Sequence, residues 1–186
     1  KVMKLRKTIK MEITDNLKLK LTEAISKAKE IRVAVALANE AATDLLKTRK
    51  TDCDVNIVVG VDLPTSIDVL KELRSEFGDK SRIYLQHFFH PKVYLFRFGN
   101  GHLKAFVGSA NFTSGGLGKN VEMSIAIDDQ SVCNELLKWF NGIYEEASPI
   151  TDLFLRKYKP YEKKYHSTRQ EQEDEFDEIA EEMNRY

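Results

Sequence analysis

Residues 31–37 read IRVAVAL and residues 55–61 read VNIVVGV, and these two largely apolar runs are the clearest indication of the fold. Runs of this kind are typical of strands that are buried on both faces of a sheet. Apolar residues with helical spacing occur before, between and after them, at residues 17–28, 40–48 and 64–77. The alternation predicts an α/β fold in which helices flank both faces of the sheet.

The pattern changes after residue 92, where residues 93–98 and 102–107 flank the sequence Gly99-Asn100-Gly101. This is a strong signal for a β-hairpin, so the predicted sheet is mixed rather than purely parallel. We expect one catalytic domain over residues 15–165, after an N-terminal arm at residues 1–14. Residues 166–186 are expected to form an acidic helix or linker that leads to further domains of the natural chain.

Composition excludes several classes of protein. Of the 186 residues, 42% are hydrophobic, which is enough for one core. No apolar run reaches the roughly 18 residues that a membrane span needs, so an integral membrane protein is excluded. The two cysteines have no partner at a zinc-like spacing and form no disulfide framework, so we expect a cytoplasmic location.

Charge is unevenly distributed although the net charge is zero. Residues 170–186 contain eight acidic residues and one arginine, a net charge of −7, which leaves +7 on the rest of the chain. A moderately basic body is compatible with a polyanionic partner.

Two short motifs contain the residue types that phosphate chemistry uses. The first is HPK at residues 90–92, where alternation along a strand points His90 and Lys92 the same way. The second is GSAN at residues 108–111, where Ser109 and Asn111 supply neutral hydrogen-bond donors. Attack on a phosphodiester requires three kinds of group: one that acts as a nucleophile or transfers a proton, a cation, and neutral hydrogen-bond donors.

A third motif, NVE at residues 120–122, follows the second after a Gly- and Ser-rich loop. Its Glu122 is a candidate for holding an imidazole N–H, and Lys119 and Asn120 are weaker candidates for binding substrate. We assign His87 a non-catalytic position, and we assign Phe88 and Phe89 to the core in preference to base stacking. Trp139 is also assigned to the core.

The stretch HPKVYLFRFGNGHLKAFVGSANFTSGGLGKNVE resembles the phospholipase D superfamily, whose signature is H-x-K followed by G-S-x-N. Its wording looks most like the single-motif nuclease branch: the phospholipase D-like domains of metal-independent restriction endonucleases and restriction-linked helicases. The sequence departs from the family pattern at Arg97, where the family has an aspartate that lies outside the direct phosphate contacts.

The resemblance implies a phospholipase D-like fold and a homodimer, because a single motif per chain makes a shared site with His90 from each subunit. It implies that one His90 forms a phosphohistidine while the other protonates the leaving oxygen. Lys92, Ser109 and Asn111 would hold the phosphate and Glu122 would orient His90. No metal ion and no cofactor are implied.

Three functions fit these observations. The first is a metal-independent endonuclease of the restriction type that cuts DNA, most readily duplex DNA, with a helicase or DNA-recognition module as an additional partner and no membrane association. The second is a lipid phosphodiesterase or phosphatidyltransferase, which uses the same chemistry. The third is a catalytically decayed module that binds nucleic acid, for which Arg97 is the best support.

Overall fold

The computed structural model describes residues 9–183, which form eight strands and five helices. The strands are β1 (Met11–Thr14), β2 (Ala28–Val35), β3 (Asp54–Val59), β4 (Ser81–Ile83), β5 (Lys92–Phe98), β6 (Leu103–Gly108), β7 (Ser124–Ile127) and β8 (Ser148–Pro149). The helices are α1 (Leu17–Lys27), α2 (Glu40–Lys47), α3 (Ile67–Phe77), α4 (Gln130–Glu146) and α5 (Asp152–Met183).

All eight strands belong to one sheet with the order β1-β7-β6-β5-β2-β3-β4-β8. The neighbours β2, β3 and β4 run parallel, and every other pairing is antiparallel. The predicted mixed sheet is therefore confirmed. Strand β2 lies at the junction, since it pairs in parallel with β3 on one side and antiparallel with β5 on the other.

Local sequence explains where the elements begin and turn. Asn16 caps α1 by accepting a hydrogen bond from the backbone N–H of Leu19 at 3.2 Å, and Ser66 caps α3 through the N–H of Val69. The hairpin between β5 and β6 turns at Gly101, whose φ of 80° favours glycine.

The apolar side chains of neighbouring strands alternate between two faces of the sheet. One face packs against α4 in two buried clusters, and α1 contacts β2 and β5. The first cluster consists of Ala34, Val58, Tyr84, Phe89, Val93, Phe140 and Ala147, and the second of Leu95, Leu103, Ala105, Ile127 and Cys133. Trp139 on α4 is 39% exposed, so its assignment to the core was wrong.

The ends of the chain differ from the arm and boundary expected from the sequence. Within residues 1–14, Met11–Thr14 form the edge strand β1 beside β7, because Met11 to Thr14 pair with Ile127 to Ser124. Residues 1–8 lie outside the described part. The compact unit ends at Ile150 rather than at residue 165, since α5 is continuous from Asp152 through that position.

The second unit, residues 151–186, contains helix α5, which is strongly polar and includes Pro160. Stacked aromatic rings lie within it, with Phe154 and Tyr158 centroids 5.1 Å apart. Across the described residues, no helix combines the length and apolar character that crossing a bilayer requires.

Candidate active site

His90 and Lys92 lie where the chain enters the centre of the sheet. Strand β5 begins at Lys92, and just before it the carbonyl oxygen of Pro91 accepts a hydrogen bond of 2.9 Å from the N–H of Ala36. Since Ala36 directly follows β2, the HPK motif is fixed against the carboxyl end of the central strand. This end of the sheet is where open α/β folds bind their ligands.

The ammonium group of Lys92 contacts the ring of His90. Its Nζ lies 2.8 Å from Nδ1, 3.0 Å from Nε2 and 3.2 Å from the His90 carbonyl oxygen. His90 is exposed, whereas Lys92 is only 7% exposed. A ring nitrogen accepts such a hydrogen bond only when it carries no proton, so the tautomer of His90 decides which of the two ring contacts is a hydrogen bond.

Burial also changes the acid–base character of Lys92. Loss of solvent lowers the pKa of the Lys92 ammonium from its usual 10.5, and the negative charge of Glu122 acts in the opposite direction. A partly desolvated cation interacts more strongly with an incoming anion than a cation in water does.

Ser109 follows β6 and is held against the segment that precedes β7. Its N–H donates to the carbonyl oxygen of Met123 at 3.0 Å, and its Oγ accepts a hydrogen bond of 3.1 Å from the N–H of Met123. The preceding residue, Gly108, permits this approach, because a Cβ there would lie 2.2 Å from the Met123 carbonyl oxygen.

Glu122 has partners other than the imidazole expected from the sequence. Its carboxylate accepts a hydrogen bond from the Ser109 hydroxyl and another, of 3.2 Å, from Nδ2 of Asn120. The expected carboxylate–imidazole bond is not among those that Glu122 makes within residues 9–183. Glu122 and Lys92 still interact electrostatically, so one carboxylate connects Ser109 to the lysine.

The Asn111 side chain has a polar atom that is available to a ligand. Its Oδ1 is buried and has no hydrogen-bond partner in the part of the chain that the structure describes. The backbone around it is tightly packed, because a Cβ at Gly116 would lie 2.4 Å from the Asn111 carbonyl oxygen. An amide held rigidly with an unused polar atom suits a ligand that completes its hydrogen bonding.

Asn120 and Lys119 take different positions. Asn120 holds the Glu122 carboxylate, as described above. Lys119 ends a π-helical turn (Gly115–Lys119) and lines a cavity of about 460 Å³ together with Lys18, Leu45 and Leu117. The structure therefore brings Asn120 to the GSAN motif through Glu122, whereas the Lys119 cavity does not include the HPK motif.

The sequence pattern did not single out Tyr94, which lies at the site, and it placed Phe88 in the wrong environment. The Tyr94 hydroxyl donates a 2.9 Å hydrogen bond to the carbonyl oxygen of Ala110, inside the GSAN motif. Its spacing of two from Lys92 along a strand was the available signal. Phe88 is 65% exposed and stacks on His90, so its assignment to the core was wrong, whereas Phe89 is buried as expected.

Arg97, which stands where the phospholipase D signature has an aspartate, lies near the opposite end of β5 from Lys92. Its side chain pairs with Glu30 on the neighbouring strand β2 at 3.1 Å. The departure from the family pattern thus falls on an ion pair outside the group formed by His90, Lys92, Ser109 and Glu122. Over residues 9–183, no three histidine, cysteine, aspartate or glutamate side chains cluster in a way that could hold a metal ion.

Several solved structures share the fold at low sequence identity. Nuc from Salmonella typhimurium, a phospholipase D family member, has a TM-score of 0.62 at 19% identity, with 78% of this chain and 99% of that chain covered. NucT from Helicobacter pylori gives 0.63 at 16% identity, with 77% and 100% covered. Phosphatidylserine synthase from Haemophilus influenzae gives 0.54 at 15% identity, with 82% and 43% covered.

No curated protein matches the chain by sequence. The family model described as "Cardiolipin synthase, PLD-like domain" matches residues 21–144, a segment that contains both the HPK and the GSAN motifs. Because this match spans most of the chain and the fold agrees with it, the chain belongs to the phospholipase D-like domain family.

Proposed function

We propose that the protein is a metal-independent phosphodiesterase that cleaves DNA, as an endonuclease of the restriction type, through a covalent phosphohistidine at a site shared by two subunits. The single observation that carries the proposal is the contact of the Lys92 ammonium with the exposed imidazole of His90. It combines a nucleophile and a cation at one place, next to the Ser109–Glu122 hydrogen bond.

In the first step, a ring nitrogen of neutral His90 attacks phosphorus, and the bond between phosphorus and the leaving oxygen breaks. The partner subunit's His90, in its protonated form, donates a proton to that oxygen. In the second step the partner subunit's His90, which is now neutral, takes a proton from water, and the resulting hydroxide attacks phosphorus. The N–P bond breaks, which releases a phosphomonoester and restores His90.

The other polar residues bind the phosphoryl oxygens in this scheme. Lys92 supplies positive charge in a partly desolvated position, where it stabilises the charge that develops in the transition state. Further hydrogen bonds come from the Ser109 hydroxyl, once it turns from Glu122 to the phosphate, and from Nδ2 of Asn111, since the unsatisfied Oδ1 of that amide is an acceptor. Glu122 accepts the hydrogen bond of the Ser109 hydroxyl, and its negative charge opposes the fall that burial causes in the pKa of Lys92.

Two observations support nucleic acid as the substrate. The chain outside its acidic C-terminal segment carries a net charge of +7, which favours binding to a polyanion. The names of two structural neighbours, Nuc and NucT, also point towards nuclease activity. Electrostatic binding of this kind weakens as salt concentration rises.

A phosphatidyltransferase or lipid phosphodiesterase is the second candidate. The matching family model is named for cardiolipin synthase, and exposed apolar side chains, Phe88, Val121 and Met123, adjoin the site residues in sequence. The phosphoryl chemistry is the same for both candidates, so the substrate distinguishes them.

The test is an assay of purified protein in EDTA with supercoiled plasmid DNA and, separately, with short-chain phosphatidylcholine. We expect plasmid cleavage by the wild type, loss of cleavage in His90→Asn, and full cleavage in His102→Asn. His102 is a matched control, because its imidazole pairs with Asp128 in another part of the molecule. Hydrolysis of the lipid alone would favour the second candidate.

The covalent and dimeric parts of the proposal have their own tests. Quenching with denaturant at alkaline pH during turnover should trap an acid-labile, alkali-stable phosphoryl group on the wild type and none on His90→Asn. If no adduct forms and the wild type cleaves neither substrate, the protein is a binding module. Sedimentation equilibrium should show a dimer, and an active monomer would contradict the shared site.

A further inference from the structure

Phe88 has an environment unlike that of the phenylalanine next to it. Phe89 is 4% exposed, its ring stacks on Tyr84 at 4.7 Å, and its N–H donates to the Asp62 carboxylate at 3.2 Å. Phe88 is 65% exposed. The buried contacts of Phe89 fix the chain at that residue and leave the preceding ring, Phe88, in solvent. A large apolar ring in water is unfavourable, and in this position it adds nothing to the core.

The exposed Phe88 ring stacks on His90, the proposed nucleophile. The Phe88 and His90 rings are nearly parallel, with an interplanar angle of 14° and centroids 5.4 Å apart. Lys92 contacts the same imidazole. An aromatic surface therefore adjoins the position at which the proposed function holds a phosphodiester.

We propose that Phe88 is a specificity-determining residue that stacks on an unpaired nucleobase next to the scissile phosphate. The inference rests on the proposed function and replaces the duplex DNA expected from the sequence with another substrate class: single-stranded or locally unpaired DNA, with little preference among bases. Every base has a π face, so stacking on an aromatic side chain tolerates sequence. A base inside an intact duplex is already stacked on its neighbours, so its ring would have to leave the helix to reach Phe88.

An acyl chain is the competing occupant of an exposed apolar ring. It would gain from any apolar side chain of similar size, whereas a base gains from a flat aromatic face. A leucine at position 88 keeps most of the apolar surface and removes that face. The variants Phe88→Leu and Phe88→Trp therefore separate the two occupants.

The experiment measures binding by fluorescence anisotropy, with the intact protein and two labelled single strands. One is an ordinary deoxyoligonucleotide, and the other has the same length and phosphate count but abasic residues throughout. A denaturing gel follows cleavage of the strands, and only readings taken before any cleavage are used. Val121→Ala is the matched control, because Val121 is a fully exposed apolar residue between Asn120 and Glu122 without an aromatic face.

We expect Phe88→Leu to weaken binding of the ordinary strand by about 5- to 150-fold, the range that one base–aromatic stack supports. Binding of the abasic strand should be unchanged, Phe88→Trp should retain wild-type affinity for both strands, and Val121→Ala should alter neither. The wild type should also bind the ordinary strand more tightly than a blunt duplex of the same sequence.

Two results would overturn the inference: equal affinity of Phe88→Leu and wild type for the ordinary strand, or an equal loss for both strands. The second would mean that Phe88 positions His90 or contacts a second subunit, and sedimentation of the variant would show which. If the wild type prefers the ordinary strand but does not cleave it, the stacking role stands and the nuclease proposal fails. The two failures are thus distinguishable.

Discussion

The hydroxyl of Tyr94 on β5 donates a hydrogen bond of 2.9 Å to the carbonyl oxygen of Ala110, which lies between Ser109 and Asn111. Tyr94 is 1% exposed and its ring packs edge-on against Phe112 at 5.3 Å. Burial, together with the negative charge of Glu122, raises the pKa of Tyr94 well above 10, so the hydroxyl stays protonated and remains a donor. The strand that carries Lys92 thereby fixes the loop that carries the neutral donors.

Replacing this donor should loosen the loop without changing any charge. We expect Tyr94→Phe to lower the free energy of unfolding by about 1 kcal/mol, since it leaves a buried carbonyl without its partner. The value of kcat should fall as well, because small displacements of positioning groups reduce turnover. Denaturant unfolding and steady-state kinetics measure the two effects.

Tyr84→Phe is the control for that change. Tyr84 is also buried, and its hydroxyl donates to Glu146 at 2.8 Å, away from the GSAN motif. We expect a similar loss of stability with unchanged kcat. An equal fall in kcat for both variants would mean that Tyr94 acts through global stability alone.

Lys92 should oppose folding while it supports activity. Because burial lowers its pKa, the unfolded chain binds the Lys92 proton more tightly than the folded chain does, so stability from this group increases as pH rises towards 10.5. Lys92→Met keeps the length of the side chain and removes the charge. We expect an unchanged or higher Tm at neutral pH together with a loss of at least about 10²-fold in kcat.

Thermal unfolding at pH 7 and at pH 9.5 measures this trade-off. The wild type should approach the stability of Lys92→Met as pH rises, whereas a variant at an exposed lysine, Lys71→Met, should show no such convergence. A clear drop in the Tm of Lys92→Met at pH 7 would show that the ammonium contributes net stability.

The pH dependence of activity should reflect the ionisation of Lys92. Activity that needs the Lys92 ammonium declines once that group loses its proton, so the alkaline limb of kcat/KM should lie below pH 10.5. Glu122 raises the pKa of Lys92, and Glu122→Gln removes its charge while keeping an acceptor for Ser109. We therefore expect Glu122→Gln to move the alkaline limb to lower pH.

Glu76→Gln provides the comparison for this profile, because Glu76 pairs with Arg49 in another part of the unit. Its alkaline limb should coincide with that of the wild type. A limb that moves to higher pH in Glu122→Gln would contradict the assignment to Lys92.

Two glycines of the loop after the GSAN motif should respond very differently to alanine. A Cβ at Gly116 would lie 2.4 Å from the Asn111 carbonyl oxygen and 2.8 Å from its nitrogen, so the backbone would have to shift. A Cβ at Gly118 would have no neighbour within 4 Å. We expect Gly116→Ala to reduce kcat by at least about tenfold, and Gly118→Ala to leave it unchanged, as measured on the same substrate.

Those features of the fold that depend on local chemistry could be predicted from the sequence. The apolar runs of β2 and β3 and the Gly99-Asn100-Gly101 turn indicated a mixed sheet, because periodicity and turn residues act over a few positions. Helix starts were less predictable. Residues 64–77 were expected to be helical from Pro64 onward, yet α3 begins at Ile67, since the Ser66 side chain caps it.

The candidate site was predictable in its residues and less so in its contacts. Alternation along a strand predicted that His90 and Lys92 point the same way; their side chains do contact each other, although β5 begins only at Lys92 and His90 precedes it. The partner of Glu122 depends on how closely Gly108 lets β6 approach Met123, which spacing does not encode. Phe88 and Phe89 are identical in type, so only the anchoring of Phe89 by Asp62 and Tyr84 decides which ring faces solvent.

The antiparallel pairing of β2 with β5 has a consequence for how the protein reaches its native state. Val35 pairs with Lys92, so β2 and β5 join only after a long intervening segment has closed into a loop, and such closures are slow. We expect activity to return in the slowest phase of refolding followed by the fluorescence of Trp139, and recovery in an earlier phase would contradict this. A chain emerging from synthesis would then carry no reactive histidine–lysine pair until its sheet is complete.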